Sequence, residues 1–275
     1  MASHSGQRRM YTCFTMLMMI LITIVSGCKK DHSESPVANT GKISLYFNHL
    51  VGGAPLQIDT LRYINAAGNH YMVTEVQYFI SDVTLYKSDG TSQLIDAWKD
   101  IHYVDNDIPS TKVWNVFDSI PEGDYDSLSF TFGISEEKNQ SMMYVDPPES
   151  LMFWPEYLGG GYHYMKLNGK WQDTLNQLSP FDFHLGIGQL YDGQGNITGF
   201  VQNYFYVHLS NSSFDIEKGK TTHIILSMNI DSWFETPHIF DFNYWGGAIM
   251  QNQAAMELAK ENGYDVFSIG EIKIQ

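Results

Sequence analysis

From Gly41 onward the chain runs in short stretches where apolar and polar residues alternate, repeatedly broken by glycine, aspartate or asparagine. Alternation with a period of two sends successive side chains to opposite faces, so each stretch reads as a strand with one face buried. Ile43, Leu45 and Phe47 alternate within Lys42–Phe47, and Gly52-Gly53 ends that run. Leu56–Ile64 alternates again before a turn at Ala66–Gly68. Tyr71–Tyr86 is aromatic and β-branched, interrupted near Ser81-Asp82, and stops at Ser88-Asp89-Gly90. Tyr125–Ile134, Tyr162–Leu167, Gly199–Leu209, Thr221–Ile230 and Val266–Ile274 continue the series. Many short strands, turn residues between them and 14% aromatics predict an all-β fold, an antiparallel sandwich or barrel. One stretch departs: Ala248–Asn262 is rich in helix formers and ends at Asn262-Gly263, so it predicts a single helix near the C-terminus.

The N-terminus carries a different signal. Arg8 and Arg9 precede an apolar run, Met16–Val25, which ends in Val25-Ser26-Gly27-Cys28. That order is a signal peptide with a lipobox, and the run is short for a permanent span. The expectation is removal of residues 1–27, lipid on Cys28, and a flexible polar tether over 28–40. Residues 41–275 then form a single domain outside the cytoplasm, lipid-anchored to a bacterial membrane, with the outer membrane or cell surface as the expected location. The chain has two cysteines, Cys13 and Cys28. One would leave with the signal and the other would carry lipid, which excludes an internal disulfide and a CxxC zinc site. The formal charge of −15 disfavours nucleic acid as a partner and suits cations or plain solubility.

No P-loop, GxGxxG, GxSxG, HExxH or EF-hand loop is present, and no nucleophile–base pair stands out, so an enzyme is not expected. Histidine is the more informative residue, because neutral imidazole is the commonest metal ligand near pH 7. Three histidines stand at strand–loop junctions dense in glycine and aromatics: His49 in Phe47-Asn48-His49, His163 after Gly159-Gly160-Gly161-Tyr162, and His184 in Phe183-His184-Leu185-Gly186. Ordinary polar strand ends would look the same. His102 is a weaker candidate. Met152 and Trp154 lie close in sequence to His163, and a thioether beside imidazole suits Cu(I). Met142 and Met143 read as core filling.

The segment Leu151-Met-Phe-Trp-Pro-Glu-Tyr-Leu-Gly-Gly-Gly-Tyr-His-Tyr-Met-Lys-Leu-Asn-Gly169, followed by Phe183-His184-Leu185-Gly186, resembles the MbnP-like copper-binding family. The early Phe47-Asn48-His49, the Tyr71–Leu85 hairpin segment and Phe130-Thr-Phe-Gly-Ile134 fall in the same order. The resemblance implies a secreted or lipid-anchored β-sandwich with a mononuclear histidine copper site. It carries His49, His163 and His184 as metal ligands, with Met152 and Trp154 as accessory residues. It further implies a di-haem partner enzyme that oxidises a tryptophan. The chain reads Asn139-Gln140 and Ile187-Gly188-Gln189-Leu190 where many members have Asn-His and Ser-Thr-Gly-Cys.

Two readings follow from these residues. One is a membrane-anchored copper-binding protein. The other is a surface lipoprotein that binds a glycan or peptide without metal on an aromatic platform, for which Trp154, Trp171, Trp233 and Trp245 are the candidates.

Overall fold

The computed structural model describes residues 39–275 apart from Asn211. The expected signal peptide, Cys28 and nearly all of the tether lie outside these residues. Nine strands carry the architecture: β1 (Thr40–Val51), β2 (His70–Lys87), β3 (Ile101–Asp105), β4 (Gly123–Phe132), β5 (Met165–Gln172), β6 (Leu178–Leu185), β7 (Phe205–Leu209), β8 (Thr221–Asn229) and β9 (Phe267–Ile274). Shorter ladders extend both sheets.

A six-stranded sheet has the central order β9-β8-β1, and a nine-stranded sheet has the order β6-β5-β2-β4-β7, with β3 also pairing β2. The two face each other across an aromatic core. Tyr78 of β2 meets Phe47 of β1 and Phe267 of β9, with ring centroids 6.5 and 6.1 Å away, and Phe130 of β4 meets Phe267 at 5.1 Å. This is the sandwich the alternation predicts.

One ladder is unlike the rest. β1 pairs β8 in parallel from Lys42↔Thr221 to Leu50↔Asn229, whereas the other strand ladders among the described residues are antiparallel. Parallel neighbours need a crossover, and here the crossover is the whole large sheet. Ile43, Leu45, Phe47, His49 and Val51 of β1 point into the sandwich and are buried.

Several local expectations are corrected. Leu56–Ile64 alternates in sequence but is mostly irregular, with Asp59 at φ 59°, and only Tyr63–Ile64 pairs with the start of β2. The break near Ser81-Asp82 does not end β2. It is a bulge with Asp82 at φ 55°, and the strand continues to Lys87. The alternation over 199–209 belongs to two elements, a short hairpin arm at Ile197–Val201 and β7. The helix α1 spans Gln253–Asn262, starting where the Asn252 side chain caps Ala255 N–H, and so is shorter than Ala248–Asn262.

The outer face of the large sheet is covered by the segment between β4 and β5. Phe79 of β2 stacks on Tyr144 at 5.7 Å and meets Tyr162 edge-on at 6.2 Å. Trp154 in this cover, Trp171 against Phe242 and Trp233 against Phe132 are all buried. They belong to the core, which removes three of the four rings expected to form an exposed platform.

Candidate metal site

The β4–β5 segment needs unusual backbone. Gly159, Gly160 and Gly161 all take positive φ, at 124°, 71° and 76°, where side chains with a Cβ are rarely found. A Cβ on Gly161 would also lie 2.6 Å from the Asn139 amide. That amide accepts from Tyr162 N–H at 2.9 Å, so Asn139 serves as a loop clamp. Two backbone bonds, Trp154 N–H to Gly161 O and His163 N–H to Met152 O, then fold residues 152–163 back on themselves. This fixes Trp154 and His163 on the outer face of β5 and β6.

Gly186 accounts for the glycine in Phe-His-Leu-Gly. A Cβ there would lie 2.6 Å from the Trp154 indole, so the ring packs directly on backbone. Trp154 Nε1–H donates to Leu158 O at 3.1 Å, and its ring meets the His163 ring at 4.6 Å, nearly perpendicular. His163 in turn meets His184 with centroids 5.0 Å apart.

The hydrogen bonds define the imidazole tautomers. His163 Nδ1 lies 2.9 Å from Met152 O, and a carbonyl can only accept, so Nδ1 carries the proton and Nε2 holds the lone pair. His184 is set by a longer relay. Asn168 Nδ2 donates to the Glu75 carboxylate, which turns Asn168 Oδ1 toward His184 Nε2 at 2.6 Å. Nε2–H must therefore donate. His184 Nδ1 is left with the lone pair, and it is buried with no hydrogen-bond partner. A buried, unpartnered acceptor is costly unless something occupies it.

Both rings are neutral well below pH 7. Burial first, then the neighbouring His184, pushes His163 down to about 3. Burial first, then the Lys166 charge, pushes His184 down to about 4. Lys166 is fixed nearby by its bond to Leu151 O at 2.6 Å. Two neutral imidazoles, each presenting a lone pair, can bind a soft or borderline cation without first losing a proton.

His49 is placed elsewhere. Its Nε2 lies 3.3 Å from Tyr78 Oη and its Nδ1 3.1 Å from Asn106 Oδ1. Tyr78 points into the sandwich. Its neighbour Gln77 points outward and aligns with Lys166, which aligns with His184. The large sheet thus stands between His49 and the His163–His184 pair, and the three histidines do not converge. Met152 enters the site through its carbonyl, and Trp154 through its ring edge. Among the described residues no group of three or more His, Cys, Asp or Glu side chains could hold a metal. Sequence reasoning missed Asn168 and Glu75. The only signal for them was that Asn168 lies two residues from Lys166 on one strand face.

A family model described as MbnP matches residues 40–251. Among solved structures, MbnP from Methylosinus trichosporium superposes with a TM-score of 0.52 at 14% identity. The alignment covers 84% of this chain and 98% of that one, and the likeness is one of fold. No curated protein sequence matches the chain.

Proposed function

The chain belongs to the MbnP family, and from that premise we propose that it is a membrane-anchored, extracytoplasmic copper-binding protein whose site is built on His163 and His184. The observation that carries this reading is the buried, unpartnered lone pair on His184 Nδ1, on a ring whose centroid lies 5.0 Å from that of a second neutral imidazole. The donor set fits the metal the family resemblance implies, since imidazoles in a dry, low-coordination setting suit Cu(I). Bound copper would supply a soft cation and, through its redox couple, a route for electron transfer.

The protein's own residues do the rest. His163 and His184 donate. Glu75 and Asn168 hold the His184 tautomer, as outer partners of metal-bound histidines generally do. Trp154 and Met152 wall the site from water. The reading is one of binding rather than turnover. His49 has partners for both ring nitrogens and lies outside this site. The di-haem partner remains an expectation of the family, with Trp154 as the indole in ring contact with His163. Anchoring rests on the lipobox, and Cys28→Ala should move the protein from the membrane fraction to the soluble one.

The test is anaerobic loading of the mature chain with Cu(I), followed by desalting against a competing chelator and metal analysis. One copper per chain is expected. His163→Ala and His184→Ala should each lose it while His49→Ala retains it. Copper retained by both of the first two variants overturns the assignment.

A further inference from the structure

Trp98 is 90% exposed and Phe117 is 59% exposed, with ring centroids 6.3 Å apart. Of the six tryptophans, five are buried or half-buried, so Trp98 is the exception. Its backbone is also unusual, at φ 69°, a region a bulky residue rarely occupies. The turn that holds it there is built. The Asp118 carboxylate accepts from Asp96 N–H and Ala97 N–H, and Lys99 N–H donates to Ala97 O at 2.8 Å. A strained turn that points a large indole into water is unfavourable twice over, and such outliers mark positions held for a purpose.

The location of this pair indicates its occupant. Phe117 and its neighbours lie against the first described residues. Lys42 Nζ donates to Phe117 O at 2.8 Å and to Asp118 O at 3.0 Å. Thr40 pairs with Pro121, and Glu122 N–H donates to Asn39 O at 2.8 Å. The aromatic pair thus sits where the chain enters the domain. Asn39 is eleven residues from Cys28, a segment that can reach at most about 40 Å fully extended.

We propose that Trp98 and Phe117 form a membrane-docking surface that inserts into the lipid interface beside the anchor. This rests on the reading that Cys28 holds the chain to a bilayer. Indole rings favour the headgroup boundary, where an apolar face and a polar edge are both satisfied. Lys42 Nζ sits on the Phe117 and Asp118 carbonyls and Lys99 follows Trp98 in sequence, beside Asp96; this mixed charge fits zwitterionic lipid better than a strongly anionic surface. Two rings alone would bind weakly, and the tether makes the contact intramolecular by holding them at high local concentration.

The mature chain has Cys28 as its sole cysteine, so a maleimide phospholipid can be coupled there whether or not the cell lipidates it. Coupled protein on phosphatidylcholine vesicles with brominated acyl chains should show a blue-shifted, quenched tryptophan component. Trp98→Ser should abolish that component. Phe117→Ser, with an unchanged circular dichroism spectrum, should reduce it at least threefold. Emission from Trp98 that stays red and unquenched on the coupled vesicles overturns the proposal. So does shielding of Trp98 from iodide before any vesicle is added, since a second copy of the chain would then be the occupant. Whether the cell lipidates Cys28 is read separately, from the mass of protein purified from membranes, so failure of the anchor reading stays distinguishable.

Discussion

His102 offers a sharp test of how this fold treats buried imidazoles. Its ring lies between Trp114, at 5.0 Å and 4° from parallel, and Phe47, at 5.3 Å and 20°. Nε2 is bonded to Thr111 O at 2.7 Å, and Nδ1 is buried without a partner. Burial first, and the Lys99 charge second, push its pKa from 6.5 down to about 3. The unfolded chain therefore binds a proton near pH 6.5 while the folded one does not. Stability is at its maximum above that value and falls as pH drops from 6.5 toward 3. At pH 5 the deficit is about 1.5 pH units, or about 2 kcal/mol from this one residue at about 1.4 kcal/mol per unit. His49 and His184 at about 4, and His163 at about 3, act in the same direction. Metal-free protein should thus lose stability as pH falls below 6.5. Urea unfolding of wild type and His102→Phe at pH 7 and pH 5 measures the single contribution. Phenylalanine keeps the stack and loses the Thr111 bond at both pH values, so that loss cancels in the difference. The pH-dependent loss should be about 2 kcal/mol smaller in the variant. Equal losses in the two proteins would refute the claim that His102 is held neutral by burial.

Glu75→Ala removes the acceptor that orients Asn168, freeing the His184 tautomer. Cu(I) affinity should fall about 10- to 100-fold with little change in melting temperature, measured by chelator competition. Gly186→Ala forces a methyl group into the Trp154 indole and should cost about 1–3 kcal/mol, measured by urea unfolding. An unchanged midpoint would mean the indole can shift away at no cost.

Much of the fold was legible because alternation is a local signal. Ile43, Leu45 and Phe47 mark β1 on sequence alone, and Asn262-Gly263 marks the end of α1. What was not legible depends on pairing. Leu56–Ile64 has the pattern of a strand, yet only Tyr63 and Ile64 find a partner. The parallel match of β1 to β8 joins residues about 180 positions apart, and no turn between them announces it. The candidate site divides along the same line. His163 and His184 become neighbours through the hairpin register that sets Met165 opposite Leu185. His49 looked equivalent in sequence, but a one-residue difference in which face of β2 it meets puts it behind the sheet. The Asn168–Glu75 relay joins adjacent strands across 93 residues, beyond the reach of any motif.

The parallel β1–β8 ladder has a consequence for when the protein can exist at all. Among the described strands β1 is the first to be made, and its parallel partner β8, with β9 beyond it, is among the last. Until they arrive, Ile43, Leu45 and Phe47 have only short antiparallel neighbours such as Val113–Asn115, and much of the inner face of the large sheet stays uncovered. Folding is thus gated on completion of the chain, with long-range contacts that form slowly. On the extracytoplasmic reading proposed above, late closure would leave no stable half-domain to obstruct export. The same feature makes a C-terminal truncation before β8 an exposed-edge species prone to aggregate rather than a smaller version of the fold.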